Sequence, residues 1–162
     1  MLPLNLDKIP RELKARPQWV CWGWEKRKGK LTKVPKNPKT GGNAKSDAPN
    51  TWGTYAQALK HYEAHKNNGI AGIGFMFSPD DPFTGVDIDH CRSETGQLKF
   101  CAQVLIEYLD SYSEASPSGA GTHTIVKAEW PVSAGNSKTL PCGMKIEVYD
   151  RLRYFTMTGH HL

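Results

Sequence analysis

The sequence predicts an α+β fold with antiparallel strand pairing, and three observations carry that expectation. Runs with apolar residues at alternate positions recur at 73–77, 86–88, 144–149 and 153–158, the period of half-buried strands. Two other segments, 55–62 and 98–112, repeat apolar residues every three or four positions, the period of helices. Short turns rich in Pro, Gly, Asp and Ser separate the runs, as at 78–82 and 116–121. A chain of 162 residues that is 38% hydrophobic has the length and composition of one ordinary domain with a core.

Taken in order, Ile9, Pro10 and Leu13 open a short helix that stops before Pro17. Trp19 to Trp24 (WVCWGW) is an aromatic-rich buried strand bounded by the charged run Glu25-Lys26-Arg27-Lys28. Lys30 to Asn50 is so rich in Lys, Pro, Asn and Gly that it is predicted to be a loop, with basic side chains that either track phosphates or are simply solvated. Thr54 and Gln57 form a capping box for a helix whose apolar face is Tyr55, Ala58, Leu59 and Tyr62 and which ends before Gly69. Ile73, Phe75 and Phe77 alternate in a strand, and the turn through Pro79 and Pro82 predicts that it pairs as a hairpin with the strand at 86–88. The second helix spans about Leu98 to Tyr112, and Phe100, Val104, Tyr108 and Tyr112 are expected to face the core. Strands at 122–127, 144–149 and 153–158 complete the reading.

Lys and Arg total 21 against 16 Asp and Glu, so the formal charge of +5 favours an acidic partner such as nucleic acid. No apolar run reaches the ~18–20 residues that span a bilayer, and MLPLNLDKIPREL lacks the basic-then-apolar order of a signal peptide. The expectation is a soluble, cytoplasmic protein that makes no membrane contact. Cys21, Cys91, Cys101 and Cys142 are too scattered for a disulfide framework and lack C-x-x-C spacing, so ordinary reduced thiols are expected over a ligand set of His90, Cys91 and Cys101.

Three motifs carry chemistry. In Val86-Asp87-Ile88-Asp89-His90 the carboxylates stand at i and i+2, on one face of a strand, with Cα atoms roughly 6.5–7 Å apart. They could share a divalent cation or simply form a solvated polar face. In Ser116-Pro117-Ser118-Gly119-Ala120-Gly121-Thr122-His123 the glycines 119 and 121 allow close approach of an anion. There the hydroxyls of Ser116, Ser118 and Thr122 can donate to phosphate, and His123 stands at the mouth of a strand. The same loop is also what an ordinary turn with a structural histidine would look like. In Met144 to Tyr149, Lys145, Glu147 and Tyr149 share one face and Ile146 and Val148 the other, so parity selects Glu147 over Asp150 as a third carboxylate.

In this order, D-x-D at 87–89, S-P-S-G-x-G-x-H at 116–123 and I-E-V-Y-D at 146–150, followed by R-Y-F-T-M-T-G, the chain resembles the archaeo-eukaryotic primase superfamily. It is most similar to the primase-polymerase domain of phage and plasmid replication proteins. The likeness extends to K-V-P-K-N-P and T-W-G-T-Y and covers nearly the whole chain. It implies a mixed or antiparallel sheet with an RRM-like catalytic core over about 70–158 and an N-terminal α/β part over about 1–69, together one domain. It further implies Asp87, Asp89 and Glu147 as the metal-binding catalytic set, where many relatives have aspartate in the third place, and His123 against the phosphates of the incoming nucleotide. The implied activity is template-dependent nucleotidyl transfer from nucleoside triphosphates on single-stranded DNA with two Mg²⁺ or Mn²⁺ ions. Lys33, Lys36, Lys127, Lys145, Arg151 and Arg153 would then contact template or triphosphate. A helicase domain or protein is the expected partner, whether the chain is a stand-alone protein or part of a primase-helicase. A metal-dependent nuclease and an inactive nucleic-acid-binding module of the same fold are the alternatives.

Overall fold

The computed structural model describes residues 1–162, Val132 by its backbone alone. Its helices are α1 (Arg11–Lys14), α2 (Tyr55–His65) and α3 (Phe100–Leu109). Its strands are β1 (Trp19–Arg27), β2 (Lys30–Lys36), β3 (Gly72–Met76), β4 (Phe83–Ile88), β5 (Tyr112–Ala115), β6 (Thr122–Lys127), β7 (Ser137–Thr139), β8 (Lys145–Tyr149) and β9 (Tyr154–Met157). They form two sheets, ordered β2-β1-β3-β9 and β5-β6-β4-β8-β7, and every ladder is antiparallel. The fold is therefore α+β with antiparallel sheets.

The chain divides into two compact units. One comprises Ile9–Met76 and Leu152–Met157, the other Met1–Lys8, Phe77–Arg151 and Thr158–Leu162. The division falls after Met76, not near residue 70, because β3 belongs to the sheet of β1 and β9.

In the first unit, β1 turns into β2 through Lys28 (φ 48°) and Gly29 (φ 78°). Positive φ at both central residues makes the two-residue turn whose twist suits a hairpin. Arg27 thus pairs with Lys30, and residues 30–36 form a strand where a loop was expected. Their composition is that of an edge: Pro35 lacks a backbone donor, and lysines blunt the open side. The capping box of α2 is present, with Thr54 Oγ accepting from Gln57 N at 3.2 Å and Gln57 Oε1 accepting from Thr54 N at 2.9 Å. Ala58 is fully buried and its carbonyl accepts from Cys21 Sγ on β1 at 3.3 Å, while Trp19 meets Tyr55 and Phe75 edge to face at 4.8 and 5.5 Å.

β3 is buried at every position, as a central strand must be, and it pairs with β1 and β9. It therefore forms no hairpin with β4, which lies between β6 and β8. Between them Asp81 accepts from Ser78 N at 2.9 Å and Phe83 N at 2.6 Å, a turn that leads the chain out of one sheet and into the other.

In the second unit, Val86, Ile88, Ile146 and Val148 form the apolar face of the sheet together with Cys91 and Ala102. α3 covers that face with Ala102, Leu105 and Leu109, preceded by Leu98. The stripe expected in the core is instead outside: Phe100, Val104 and Tyr108 are 78, 47 and 82% exposed, and Tyr112 already belongs to β5. Leu98, Ala102, Leu105 and Leu109 also follow helical spacing, and the small Ala102 lets the helix approach the sheet closely. At the sheet's edge, residues 160–162 run along β5, with Ala115 N donating to His160 O at 2.9 Å and Leu162 N to Ser113 O at 3.0 Å. No helix among the described residues is long and apolar enough to cross a membrane.

Candidate active site

The sheet of the second unit places the motif residues in one transverse row. Asp87 on β4 pairs with His123 on β6 and with Glu147 on β8, and His123 pairs in turn with Glu114 on β5. Residues directly opposite on neighbouring strands project to the same face. The row Glu114, His123, Asp87, Glu147 thus occupies one face, while Ile88, Ile146, Val86 and Val148 turn the other toward α3. The register places Glu147 on the face of Asp87. Asp150 lies beyond β8 and is held by Arg151 at 2.8 and 3.0 Å, which keeps its carboxyl below the usual aspartate range.

Asp87 and His123 are largely enclosed, their side chains 17 and 7% exposed. His123 Nε2 lies 3.8 Å from Asp87 Oδ1, and its Nδ1 lies 3.6 Å from Glu114 Oε1. Glu114 was not singled out from sequence, yet it is fully buried. It accepts from Tyr112 Oη at 2.6 Å, Gly159 N at 2.7 Å and Thr158 N at 2.9 Å.

Asp89 stands one residue past β4, exposed, in a turn completed by His90 at φ 51°. Glu147 accepts from Lys145 Nζ at 2.8 Å and from Tyr149 Oη at 2.9 Å. The Lys145 ammonium is held above the usual lysine pKa chiefly by its bond to Glu147, with Tyr149 and Asp89 adding to the effect. A cation thus already sits in the field of Glu147 and Asp89.

Three carboxylates offer hard oxygens, the donor set that suits Mg²⁺ or Mn²⁺. With Glu147 turned to Lys145 and Tyr149, no three His, Cys, Asp or Glu side chains among the described residues converge as a finished metal cage. The hard-oxygen chemistry suits a divalent cation, while in this arrangement Glu147 is committed to Lys145 and Tyr149.

The 116–121 loop is tightly self-bonded. Gly119 N donates to Ser116 O at 2.8 Å, Ala120 N to Ser118 Oγ at 3.3 Å and Gly121 N to Ser116 Oγ at 3.2 Å. The N–H groups of Gly119, Ala120 and Gly121 are therefore engaged within the turn. Gly119 needs its positive φ of 80°, and a Cβ on Gly121 would come within 2.8 Å of Ile88 O and 3.5 Å of Asp89 Cα. The loop thus packs directly on the Asp89 turn. Thr122 corrects the expectation made for it: it is fully buried opposite Ile88, its hydroxyl 3.5 Å from Cys91 Sγ, so it does not reach the face of His123. Arg92, missed in the sequence, donates to Gly119 O at 2.9 Å and Gly96 O at 3.1 Å and brings a guanidinium to the loop. All four cysteines are free thiols.

Of the basic residues, Lys145 and Arg151 are engaged with Glu147 and Asp150. Lys127 is exposed at the end of β6, and Arg153 is exposed just before β9. Arg153, like Lys33 and Lys36, belongs to the other unit. There Lys33 stands over the Trp22 and Trp24 rings at 5.6 and 5.8 Å, and Lys36 pairs with Glu25 and with Asn43 Oδ1.

The sheet thus brings Asp87, His123 and Glu147, from three separate sequence motifs, onto one face. The chain is 35% identical over 151 residues to the DNA primase-polymerase of Nitratiruptor phage NrS-1. It is thus similar to part of a phage DNA primase-polymerase. The match covers 92% of this chain and 20% of that protein, so the chain spans about a fifth of the relative's length. No protein-family model matches the chain.

Proposed function

We propose that this chain carries template-dependent nucleotidyl transfer, as a DNA primase or polymerase module acting in phage- or plasmid-type replication. The observation that carries the reading is the register that sets His123, Asp87 and Glu147 side by side on one face, with Asp89 at its end. Asp87, Asp89 and Glu147 would hold two Mg²⁺ or Mn²⁺ ions, which when bound activate a primer 3′-hydroxyl and neutralise the departing pyrophosphate. To hold a metal ion Glu147 would have to give up its bonds to Lys145 and Tyr149, and the Lys145 ammonium would then be available to a phosphate oxygen. His123 offers Nε2 beside Asp87, where the triphosphate of the incoming nucleotide would lie. The Ser118 hydroxyl stands on the loop that packs against Asp89, and the Arg92 guanidinium is bonded to that loop at Gly119 O. Lys127 and Arg151, and Arg153, Lys33 and Lys36 on the other unit, would contact the backbone of a single-stranded template, which confers no sequence preference. A helicase, as a separate protein or a further domain, is the expected partner, and the catalytic unit would correspond to an RRM-like core.

The test is incubation with single-stranded template, labelled nucleoside triphosphates and Mg²⁺ or Mn²⁺, with and without primer. Products whose sequence follows the template and which require the metal support the reading. Degradation of the template would establish a nuclease, and template binding without synthesis an inactive module.

A further inference from the structure

We infer that Glu114 is a positioning residue of this site: its buried carboxylate fixes the His123 imidazole with Nδ1 turned inward and Nε2 presented toward Asp87 and the nucleotide's phosphates. The inference rests on the nucleotidyl-transfer reading of the site and adds to it a residue that touches no substrate.

Side chains of this kind are rarely buried completely unless their oxygens are fully used. Glu114 meets that condition through three donors, Tyr112 Oη, Gly159 N and Thr158 N, two of them backbone amides. A group clamped on three sides is a fixed point. The fourth contact of this carboxylate faces the site: Oε1 lies 3.6 Å from His123 Nδ1, just beyond hydrogen-bond length, across the register pair Glu114 and His123. A carboxylate facing one imidazole nitrogen sets which nitrogen carries the proton and how the ring is turned. The opposite nitrogen, 3.8 Å from Asp87 Oδ1, is then left to the reacting side. The competing account is that Glu114 only ties Thr158 and Gly159 to β5. The two accounts differ in whether the effect of Glu114 passes through His123.

The experiment uses the whole chain and the variants Glu114→Gln, His123→Ala and their double. It reads the KM for a deoxynucleoside triphosphate in templated extension, with thermal melting as a control of folding. Glu114→Gln is expected to raise KM about tenfold with a smaller change in kcat, the scale of losing a positioning partner. In the His123→Ala background the same change should add less than about twofold, because residues acting as one unit are not additive. Equal effects in both backgrounds would show a purely structural role and overturn the inference. Nitrogen-resolved NMR of the unmutated protein supplies a reading that needs no variant to fold. His123 with its proton on Nδ1 is expected, and a ring protonated on Nε2 alone would overturn the inference. If His123→Ala leaves KM unchanged, the phosphate role of His123 fails, and the tautomer still decides whether Glu114 orients the ring.

Discussion

At the scale of single residues, the carboxylates divide by what each can be released to do. Asp87 is enclosed between His123 and Glu147, so Asp87→Ala removes charge at the centre of the row. Synthesis should fall by about 10²-fold or more, the scale of losing one electrostatic stabiliser, as measured by templated extension. Glu147→Gln should have a comparable effect, whereas Asp150→Asn, which chiefly weakens its pairing with Arg151, should leave synthesis near its starting level. The reverse order would show that Asp150 is the working ligand. His123→Ala should cost on the order of 1.5–3 kcal/mol of triphosphate binding, one charge-assisted contact, and spare binding of the monophosphate. Cys142 is exposed, and its thiol pKa is lowered chiefly by a hydrogen bond with Cys101. Burial pushes the Cys21 thiol up to about 12 and raises Cys91 as well. Alkylation of the folded protein near neutral pH should therefore label Cys142 first, which peptide mapping would show. Parity alone made Glu147 legible. Glu114 was legible in principle, since it and His123 are equidistant from the 116–121 turn and so must pair once that turn closes. The missing step was to count back across the loop.

At the scale of elements, close packing decides more than composition. Gly121 brings the loop against the exit of β4, so Gly121→Ala should push the loop off Asp89 and lower synthesis while the melting temperature falls only modestly. An unchanged rate would show that the approach is not needed. Thr54→Ala removes one half of the α2 capping box and should cost about 1 kcal/mol in urea unfolding without changing synthesis. The capping box was read correctly because a cap is local: four residues contain the whole of it. β2 was not, because its Lys and Pro content argues against a strand except at an edge, and edges are defined by what does not pair. The useful signal was Lys28-Gly29, a two-residue turn directly after a strand. The outward stripe of α3 was misread for a different reason. Phe100, Val104 and Tyr108 outweigh Leu98, Ala102, Leu105 and Leu109 in size, but the face with the small residue fits the sheet.

At the scale of the whole molecule, the formal charge of +5 should make template binding electrostatic, with affinity falling steeply as salt is raised from 50 to 200 mM. Fluorescence anisotropy on labelled single-stranded DNA would measure the slope, and a flat profile would remove the basic residues from the interface. The antiparallel α+β character and the motif row were legible because period and spacing are properties of contiguous segments. The make-up of the two units was not, since nothing local tells Met1–Lys8 and Thr158–Leu162 that they join 77–151, or tells β9 that it joins β3. That interleaving also governs time. β3 lacks its second neighbour until 154–157 have been made, and Glu114 lacks two of its three donors until 158 and 159 follow. Contacts between distant parts of a chain form slowly, because the loop must close before they reward it. On the ribosome, the first 153 of the 162 residues therefore precede, with an open strand edge and a buried-type carboxylate still wet, the one segment of about six residues that supplies β9 and the two backbone donors of Glu114.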